Sequence, residues 1–340
     1  MAGSPNSTDT ALAPFLIEPI FLEKIWGYAD LRPWYDYVAG DTNGAAGPKG
    51  GQPVGEVWLT GDACKVASGP HAGKALAQVF RDAPRAMLGD AAPSFESPTL
   101  IKVLFAQDKL SVQVHPDDQM AQKYGDPRGK TECWYALAAD PGAEVALGLK
   151  PGVTIDQVRA GMEQGTLEEI VGVLPIAKGE MVFVDAGTVH AIWPGSILLE
   201  TQQNCDITYR MYDYGRDRPL HIEKAVEATK LKTRAGIVPP RELEDRTILI
   251  AVEYFCVERI SVKGSRSSAT LPGPGEAPGG LSYLFAAAGS ANIAGAGFES
   301  IELQPRCVAA IPAASPAFTI EDRGGLDLIR VSPRWPEKPA

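Results

Sequence analysis

The chain has 340 residues, 45% of them hydrophobic, and a formal net charge of −10 at pH 7. This length exceeds the usual size of one domain, so we expect two domains, each with its own core. The acidic balance disfavours a nucleic-acid partner, because contact with a phosphate backbone needs a basic surface. The chain also lacks an apolar run of the roughly 18 residues that a membrane span requires.

The first 15 residues are predicted to form a flexible lead-in to the folded chain. They lack the positive charge that opens a signal peptide, and Glu18 and Glu23 interrupt the apolar residues around and after them. The chain has five cysteines, an odd number without tight spacing. We therefore expect reduced thiols and a cytoplasmic protein.

Helices are predicted to be few and short. Leu76, Val79 and Phe80 form the apolar stripe of an amphipathic helix that Pro84 ends or kinks. Asp117 is a candidate N-cap for another short helix. Three further segments have helical patterns, the first two with the spacing of a capping box: TIDQVRAGM (154–162), TLEEIVGVL (166–174) and LHIEKAVEATK (220–230).

Period-2 patterns dominate the rest of the first 235 residues. They occur at 56–60, 99–106, 110–115, 131–138, 144–149, 181–185, 188–193, 197–202 and 206–213. Many short strands punctuated by Gly and Pro predict a mainly β fold, a sandwich or a jelly-roll barrel.

A second set of short strands is predicted after about residue 235. The segment 271–280 is a flexible loop by composition, and no histidine follows His221. A second barrel in this region would lack imidazole ligands, so we expect it to be metal-free and structural.

The segment 110–115 carries the first candidate metal ligands. Side chains of a strand alternate between its two faces, so Leu110, Val112 and Val114 share one face. The amide of Gln113 and the imidazole of His115 would then lie on the opposite face, together with Ser111.

Two later residues would complete a mixed nitrogen and oxygen site. Glu132 shares a strand face with Lys130 and Trp134, and His190 closes the segment GEMVFVDAGTVHAI. A histidine on a half-buried strand is more often structural than a ligand. Two histidines and one carboxylate nevertheless form a common catalytic-zinc set, which leaves a position for water or substrate.

Several motifs together resemble one family. QVHPDD, GKTECWY, DAGTVHAI and LETQQNCDITYRMYDYGR are similar to motifs of the type I mannose-6-phosphate isomerases, which are zinc-dependent enzymes built from cupin domains. PIFLEKIWGYADL, GEVWLTGD, PTLIKVLFAQDKLSVQVHP and RPLHIEKAVEA extend the resemblance, in the same order, over about residues 16–230. The total length resembles the short bacterial form of the family.

The resemblance implies a fold, a cofactor and an activity. The fold would be mainly β, with cupin-type jelly-roll barrels and a few short helices, divided into a metal-binding catalytic domain at 16–234 and a second, metal-free domain at 235–340. One zinc ion would lie at Gln113, His115, Glu132 and His190. The enzyme would interconvert mannose 6-phosphate and fructose 6-phosphate through a cis-enediol.

Catalytic and substrate-binding residues follow from the same motifs and from charge. Glu200 and Arg210 match functional residues of the family. An acidic protein needs a local cationic pocket for a sugar phosphate, for which Lys109, Ser111, Lys130 and Arg210 are the candidates. Arg210 could bind the phosphate or stabilise the enediolate. The proton could be moved by Glu200 or a zinc-bound water, both ranked above Lys130.

The sequence departs from the family motif at one position, and two alternative functions stay open. Tyr28 stands where the family often has a glycine, which bears on substrate choice. An Fe(II)-dependent cupin oxygenase would use a similar set of two histidines and a carboxylate, although Gln113 would occupy a position that an oxygenase keeps open. The other alternative is a non-catalytic cupin that binds sugar phosphates. The oligomeric state is not predicted.

Overall fold

The computed structural model describes residues 11–40, 51–90, 92, 96–268 and 280–335. Most of the predicted lead-in (1–15) and nearly all of the predicted loop (271–280) lie outside these residues. The helices are α1 Leu76–Asp82, α2 Pro84–Leu88, α3 Asp118–Lys123, α4 Ile155–Gln164 and α5 Ile222–Ala228, with a 3-10 turn at Leu167–Glu169. None of the described helices is both long and apolar enough to cross a membrane.

Strands make up most of the regular structure, which confirms the mainly β fold with a few short helices. In chain order they are β1 Phe15–Glu18, β2 Ile20–Tyr28, β3 Val54–Trp58, β4 Lys65–Val66, β5 Thr99–Phe105, β6 Val112–Val114, β7 Glu132–Ala139, β8 Glu144–Leu149, β9 Val171–Pro175, β10 Met181–Val184, β11 His190–Ile192, β12 Ser196–Gln203, β13 Tyr209–Tyr212, β14 Gly236–Val238, β15 Arg241–Glu242, β16 Arg246–Ala251, β17 Phe255–Ile260, β18 Ser265–Ser267, β19 Ser282–Ala288, β20 Ala291–Gly295, β21 Ile301–Leu303, β22 Val308–Ile311, β23 Phe318–Asp322 and β24 Asp327–Pro333.

One compact unit comprises residues 20–60 and 98–240 and is called here the first barrel. Its strands form a seven-stranded sheet, β14-β10-β7-β12-β5-β3-β2, and a five-stranded sheet, β13-β6-β11-β8-β9. Apolar side chains from both sheets, such as Trp134, Leu198 and Val145, pack into one core. The two sheets therefore enclose an interior that Trp134 and Leu198 fill from one side and Val145 from the other.

Short helices cover the outer face of the five-stranded sheet. Val112 and Val114 of β6 pack there against Val158 of α4 and Ala225 of α5. Because strand side chains alternate, burying these two valines under the helices turns Gln113 toward the interior of the barrel. The predicted alternation thus holds across β6.

The other compact unit comprises the described residues within 1–19, 61–97 and 241–340 and is called here the second barrel. It contains an eight-stranded sheet, β15-β16-β17-β24-β19-β22-β1-β4, and a four-stranded sheet, β18-β23-β20-β21. Side chains from both sheets, including Leu284, Ile293 and Ile320, form its core. The second set of strands predicted after residue 235 is present.

The two units are interleaved in sequence, which differs from the predicted division at residues 234 and 235. Residues 61–97 belong to the second barrel because β4 pairs with β1, which in turn pairs with β22. Ala313 and Ala314 also donate backbone hydrogen bonds to the carbonyls of Met87 and Ala86 in α2. These long-range pairings leave no local signal in the sequence.

Most of the predicted helix ends are confirmed. Pro84 is the first residue of α2 and separates it from α1, and Asp117 caps α3 by accepting a hydrogen bond from the Met120 amide. Thr154 and Gln157 form the predicted capping box of α4.

The helix predicted at 166–174 is wrong. Thr166 makes no side-chain cap, and only the 3-10 turn forms before β9. Val171 and Val173 of β9 pair with β8 instead, as β-branched residues favour.

Candidate functional site

Three buried side chains of the first barrel bring their ligand atoms together. His115 follows β6, Glu132 begins β7 and His190 begins β11, and one ligand atom from each lies within 4.8 Å of the others. The Nε2 atoms of His115 and His190 lie 3.7 and 3.4 Å from the two carboxylate oxygens of Glu132. This spacing leaves room for a cation between them.

Both imidazole rings are oriented by backbone carbonyls. Nδ1 of His115 lies 2.7 Å from the Ile207 carbonyl, and Nδ1 of His190 lies 2.9 Å from the Thr188 carbonyl. A carbonyl only accepts hydrogen bonds, so each Nδ1 carries the proton and each Nε2 presents a lone pair to Glu132. A metal-ligating histidine commonly has this arrangement.

Glu132 is buried without a full set of partners. Lys130 Nζ lies 3.0 Å from its Oε2, but neither carboxylate oxygen has a hydrogen bond of good geometry. Burial, and next Glu200, raise the pKa of Glu132 to about 7, while burial lowers the pKa of His190 to about 4. A divalent cation would compensate the carboxylate charge, and neutral imidazoles are the form that binds metal. The residues therefore fit a metal ion.

Gln113 adjoins this triad. His190 pairs with Gln113 across β11 and β6, and the amide Nε2 lies 3.2 Å from His190 Nε2 and 3.5 Å from His115 Nε2. Ser111 Oγ lies 3.3 Å from the amide oxygen. A half-turn of the amide exchanges two groups of nearly equal shape and would present the oxygen to the triad instead.

A cavity of about 290 Å3 opens beside the triad. Gln113 and Lys130 line it, and each contacts a member of the triad. Its other lining residues are Lys24, Trp26, Glu56, Lys102, Leu104, Leu110, Ser111, Ile192, Glu200, Asp206, Thr208, Arg210 and Arg218. Cations and carboxylates thus share the wall of one small pocket.

Glu200 and Lys102 form a buried ion pair in the wall of this pocket. They face each other across β12 and β5, with Lys102 Nζ 3.0 Å from Glu200 Oε1. Trp134 donates a hydrogen bond of 3.0 Å to the other oxygen of Glu200. Burial opposes the charge on Glu200, but Lys102 and next Lys130 outweigh it and hold its pKa below the usual value. Glu200 is therefore ionised and fixed in position.

Lys102 and Glu56 were missed by the analysis of the sequence. Glu56 lies 3.5 Å from Lys102 Nζ and 2.9 Å from Lys24 Nζ. A signal was present, because each is the lone charged residue of a short apolar strand, TLIKVLF and VGEVW. A charge in such a strand is buried and needs a partner.

Arg210 lies on β13 directly opposite Gln113 of β6 and lines the cavity. Its Nη1 donates to the Pro219 carbonyl, while its buried Nε has no hydrogen-bond partner. Among the described residues no carboxylate lies within ion-pair distance of Arg210, and Glu200 lies beside Lys102 and Lys130. The guanidinium thus keeps donors for a ligand.

The structure places Lys109 away from the cavity, in contrast to the sequence analysis. Its Nζ lies 2.5 Å from Glu168 Oε1 and over the ring of Trp193. Residues 109–111 precede β6, so strand alternation does not apply to them. For the same reason Leu110 lines the cavity beside Ser111 rather than sharing the face of the β6 valines.

Tyr28 lies at the end of β2, with its ring edge-to-face against Phe105. The neighbouring Trp26 lines the cavity, and Gly27 has no room for a side chain, because a Cβ would lie 2.3 Å from the Val54 carbonyl carbon. The ring of Tyr28 therefore packs on Phe105.

A larger cavity of about 1130 Å3 lies in the second barrel. His71 lines it, but among the described residues the one group of three or more metal-ligand side chains is the triad of the first barrel. We therefore place the candidate site at the smaller cavity.

Comparison with known proteins gives consistent results. The family model for the catalytic domain of type I phosphomannose isomerase matches residues 15–151. A probable mannose-6-phosphate isomerase from Bacillus subtilis is 35% identical over 267 residues, which are 74% of this chain and 80% of that protein. A mannose-6-phosphate isomerase from Streptococcus mutans is 34% identical over 266 residues, 74% of this chain and 81% of that protein.

A solved structure of similar fold supports the same family. The crystal structure of mannose 6-phosphate isomerase from Bacillus subtilis superposes with a TM-score of 0.80 at 28% identity, covering 94% of this chain and 99% of that one. The predicted cupin-type jelly-roll fold is thereby confirmed.

Proposed function

The chain belongs to the type I phosphomannose isomerase family, and from this premise we propose that it interconverts mannose 6-phosphate and fructose 6-phosphate with one zinc ion. The observation that carries the proposal is the triad of His115, Glu132 and His190 beside a cavity lined by cations. An open-chain sugar phosphate needs both features, since its carbonyl must be polarised and its charge compensated.

The proposed metal ligands are Gln113, His115, Glu132 and His190. Support comes from the two convergent Nε2 lone pairs and from the incompletely partnered oxygens of Glu132. The set contains a single carboxylate, so a bound Zn²⁺ would keep net positive charge and supply Lewis-acid polarisation of the sugar oxygens at C1 and C2. Binding by Gln113 requires its amide oxygen to face the triad.

Glu200 is the proposed group that moves the proton between C1 and C2 through a cis-enediol. It is ionised, it faces the cavity, and Trp134 and Lys102 hold its two oxygens. A carboxylate fixed in this way can transfer the proton on one face of the sugar. Lys130 lies 3.9 Å from Glu200, and its raised pKa keeps it protonated as a partner rather than a base.

Arg210 is proposed to stabilise the negative charge that develops on the enediolate oxygens. Its register opposite Gln113 sets it beside the proposed metal ligands, and its free donors suit two neighbouring oxygens. Ser111 and Lys130 line the same cavity and are proposed substrate contacts. Lys109 is left out of the proposal because it pairs with Glu168.

The proposed location is the cytoplasm. All five cysteines are free thiols, three of them buried, as a reducing compartment favours.

A coupled assay tests the proposed function. Conversion of mannose 6-phosphate to fructose 6-phosphate is measured on purified protein, after chelation, and after restoring Zn²⁺. Activity should disappear on chelation and return with zinc, and unphosphorylated mannose should be a very poor substrate. Zinc-loaded protein that leaves mannose 6-phosphate unchanged would contradict the proposal, as would activity that needs O₂.

A further inference from the structure

The ionised side chains around the cavity of the first barrel divide into two groups. In the inner group, Lys102 is within 4.0 Å of Glu56, Glu200 and Asp206. Lys24 pairs with Glu56, and Lys130 with Glu132. The group contains three lysines and four carboxylates, so by itself it offers a dianion no net attraction.

The outer group contains an excess of positive charge. Arg210 and Arg218 both line the cavity, and the carboxylate that contacts Arg218 is the buried Asp213. Both guanidinium groups lie on the wall of the same cavity, and burial and next Arg218 lower the pKa of Arg210. Two adjacent guanidinium groups with one carboxylate form an anion site by charge alone.

Asp213 fixes the orientation of Arg218. The Nε and Nη2 of Arg218 each donate a 2.6 Å hydrogen bond to one oxygen of Asp213, and the Asp213 side chain is 2% exposed. This bidentate contact uses one edge of the guanidinium and leaves Nη1 without a protein partner in the described part of the chain. A fixed arginine with a free edge is well suited to a phosphate, because little entropy is lost on binding.

Arg216 contacts the same carboxylate but is differently placed. Its Nη1 donates to the Lys109 carbonyl at 2.8 Å and its Nη2 to Asp108 at 2.5 Å. These contacts occupy its guanidinium outside the cavity. Arg216 and Arg218 therefore form a matched pair for mutagenesis. Both contact Asp213, but of the two Arg218 lines the cavity.

We propose that Arg218, held by Asp213, anchors the phosphate group of the substrate and determines the preference for phosphorylated sugars. This inference rests on the proposed function and refines its substrate contacts. Arg210 acts nearer the metal ligands and Arg218 acts on the remote phosphate, so the two arginines serve different parts of the substrate. Asp213 is a positioning residue.

Steady-state kinetics of Arg218→Ala and Arg216→Ala test the assignment. A charge-assisted contact to phosphate is worth roughly 10- to 100-fold in binding, so Arg218→Ala should raise KM for mannose 6-phosphate by that factor with kcat little changed. Arg216→Ala should keep the wild-type KM. An unchanged KM in a folded, zinc-loaded Arg218→Ala protein, or an equal rise in both variants, would overturn the proposal.

Binding of inorganic phosphate separates this inference from the proposed function, because it needs no turnover. Titration calorimetry should show that phosphate binds wild type and Arg216→Ala equally and Arg218→Ala roughly 10-fold more weakly or worse. A protein without isomerase activity that still shows this difference would refute the isomerase but retain the anion site. Equal phosphate affinity in all three proteins would remove the site.

Asp213→Asn tests the positioning role. The amide keeps one acceptor oxygen but loses the charge that fixes Arg218, so KM should rise by a smaller factor than in Arg218→Ala, with kcat retained. A wild-type KM in Asp213→Asn would show that Arg218 needs no support from Asp213.

Discussion

In the first barrel, the buried Glu132 lies between two imidazoles and has one cationic partner, Lys130. In the second barrel, the equally buried Glu258 is surrounded by guanidinium groups. Arg330 donates to its Oε2 from Nε at 2.9 Å and from Nη2 at 2.5 Å, and Arg246 Nε lies 2.9 Å from Oε1. The two barrels thus each bury a carboxylate, but Glu258 has two close guanidinium groups and Glu132 has one close ammonium group.

The difference separates a structural cluster from a binding site. The carboxylate of Glu258 is compensated within the protein, so nothing further is needed to stabilise its charge. The carboxylate of Glu132 has one close cation, Lys130, and burial and next the nearby Glu200 raise its pKa. A buried charge that the protein itself leaves undercompensated indicates a missing ligand.

The largest expected effect is the loss of metal from the first barrel. Wild-type protein should contain about one zinc per chain, as one four-ligand site implies. His115→Ala, Glu132→Ala and His190→Ala should each lose most of it and reduce kcat/KM by more than roughly 100-fold. Gln113→Ala should lose less, because a neutral amide is the weakest donor of the set. Elemental analysis and the coupled assay measure both effects.

His71→Ala is the matched control, since His71 lines the cavity of the second barrel. It should retain zinc and activity. Full zinc occupancy in His190→Ala would place the metal elsewhere. Glu132 would then no longer differ from Glu258 as part of a metal site.

The next effect concerns the stability of the second barrel. Glu258→Gln removes the carboxylate that contacts the buried Arg330 and one of the two carboxylates that contact the half-buried Arg246, so the free energy of unfolding should fall by about 3–5 kcal/mol. Glu132→Gln in metal-free protein should cost much less, because burial and Glu200 already disfavour the ionised carboxylate. Urea unfolding of both variants after chelation measures the two losses. Equal losses would contradict the proposed difference in electrostatic compensation.

Two arginines extend the comparison from carboxylates to guanidinium groups. Arg210→Ala should keep zinc and stability but lower kcat roughly 10²- to 10³-fold with KM little changed, as expected when a donor acts mainly in the transition state. Arg330→Ala should do the reverse, with lower stability and normal kcat in the folded protein. Wild-type kinetics in a zinc-loaded Arg210→Ala protein would remove Arg210 from the mechanism.

Local patterns in the sequence predicted much of this site. Alternation along β6 and β7, together with the start of β11, was enough to expect Gln113, Glu132 and His190 on one side of a barrel. The helix caps at Asp117 and Thr154 were predictable for the same reason, because each depends on residues within one turn.

Features that depend on strand register were not predictable. Lys102 and Glu200 are 98 positions apart and become partners because β5 and β12 pair in that register. The assignment of residues 61–97 to the second barrel depends likewise on the pairing of β4 with β1. No alternation pattern encodes which strands become neighbours.

The smallest expected effect is at Lys109, which period-2 spacing placed with Ser111 and Gln113 as a substrate contact. Its Nζ is paired with Glu168 and stacks on Trp193, so its charge is already compensated on the outside of the barrel. Lys109→Ala should therefore leave KM for mannose 6-phosphate within about twofold of wild type and cost at most about 1 kcal/mol of stability, as for other partly exposed ion pairs. Kinetics and urea unfolding of the single variant measure both quantities. A tenfold rise in KM would show that Lys109 contacts the substrate phosphate. Pairing with a neighbouring carboxylate would then no longer distinguish a structural cation from a substrate-binding cation in this barrel.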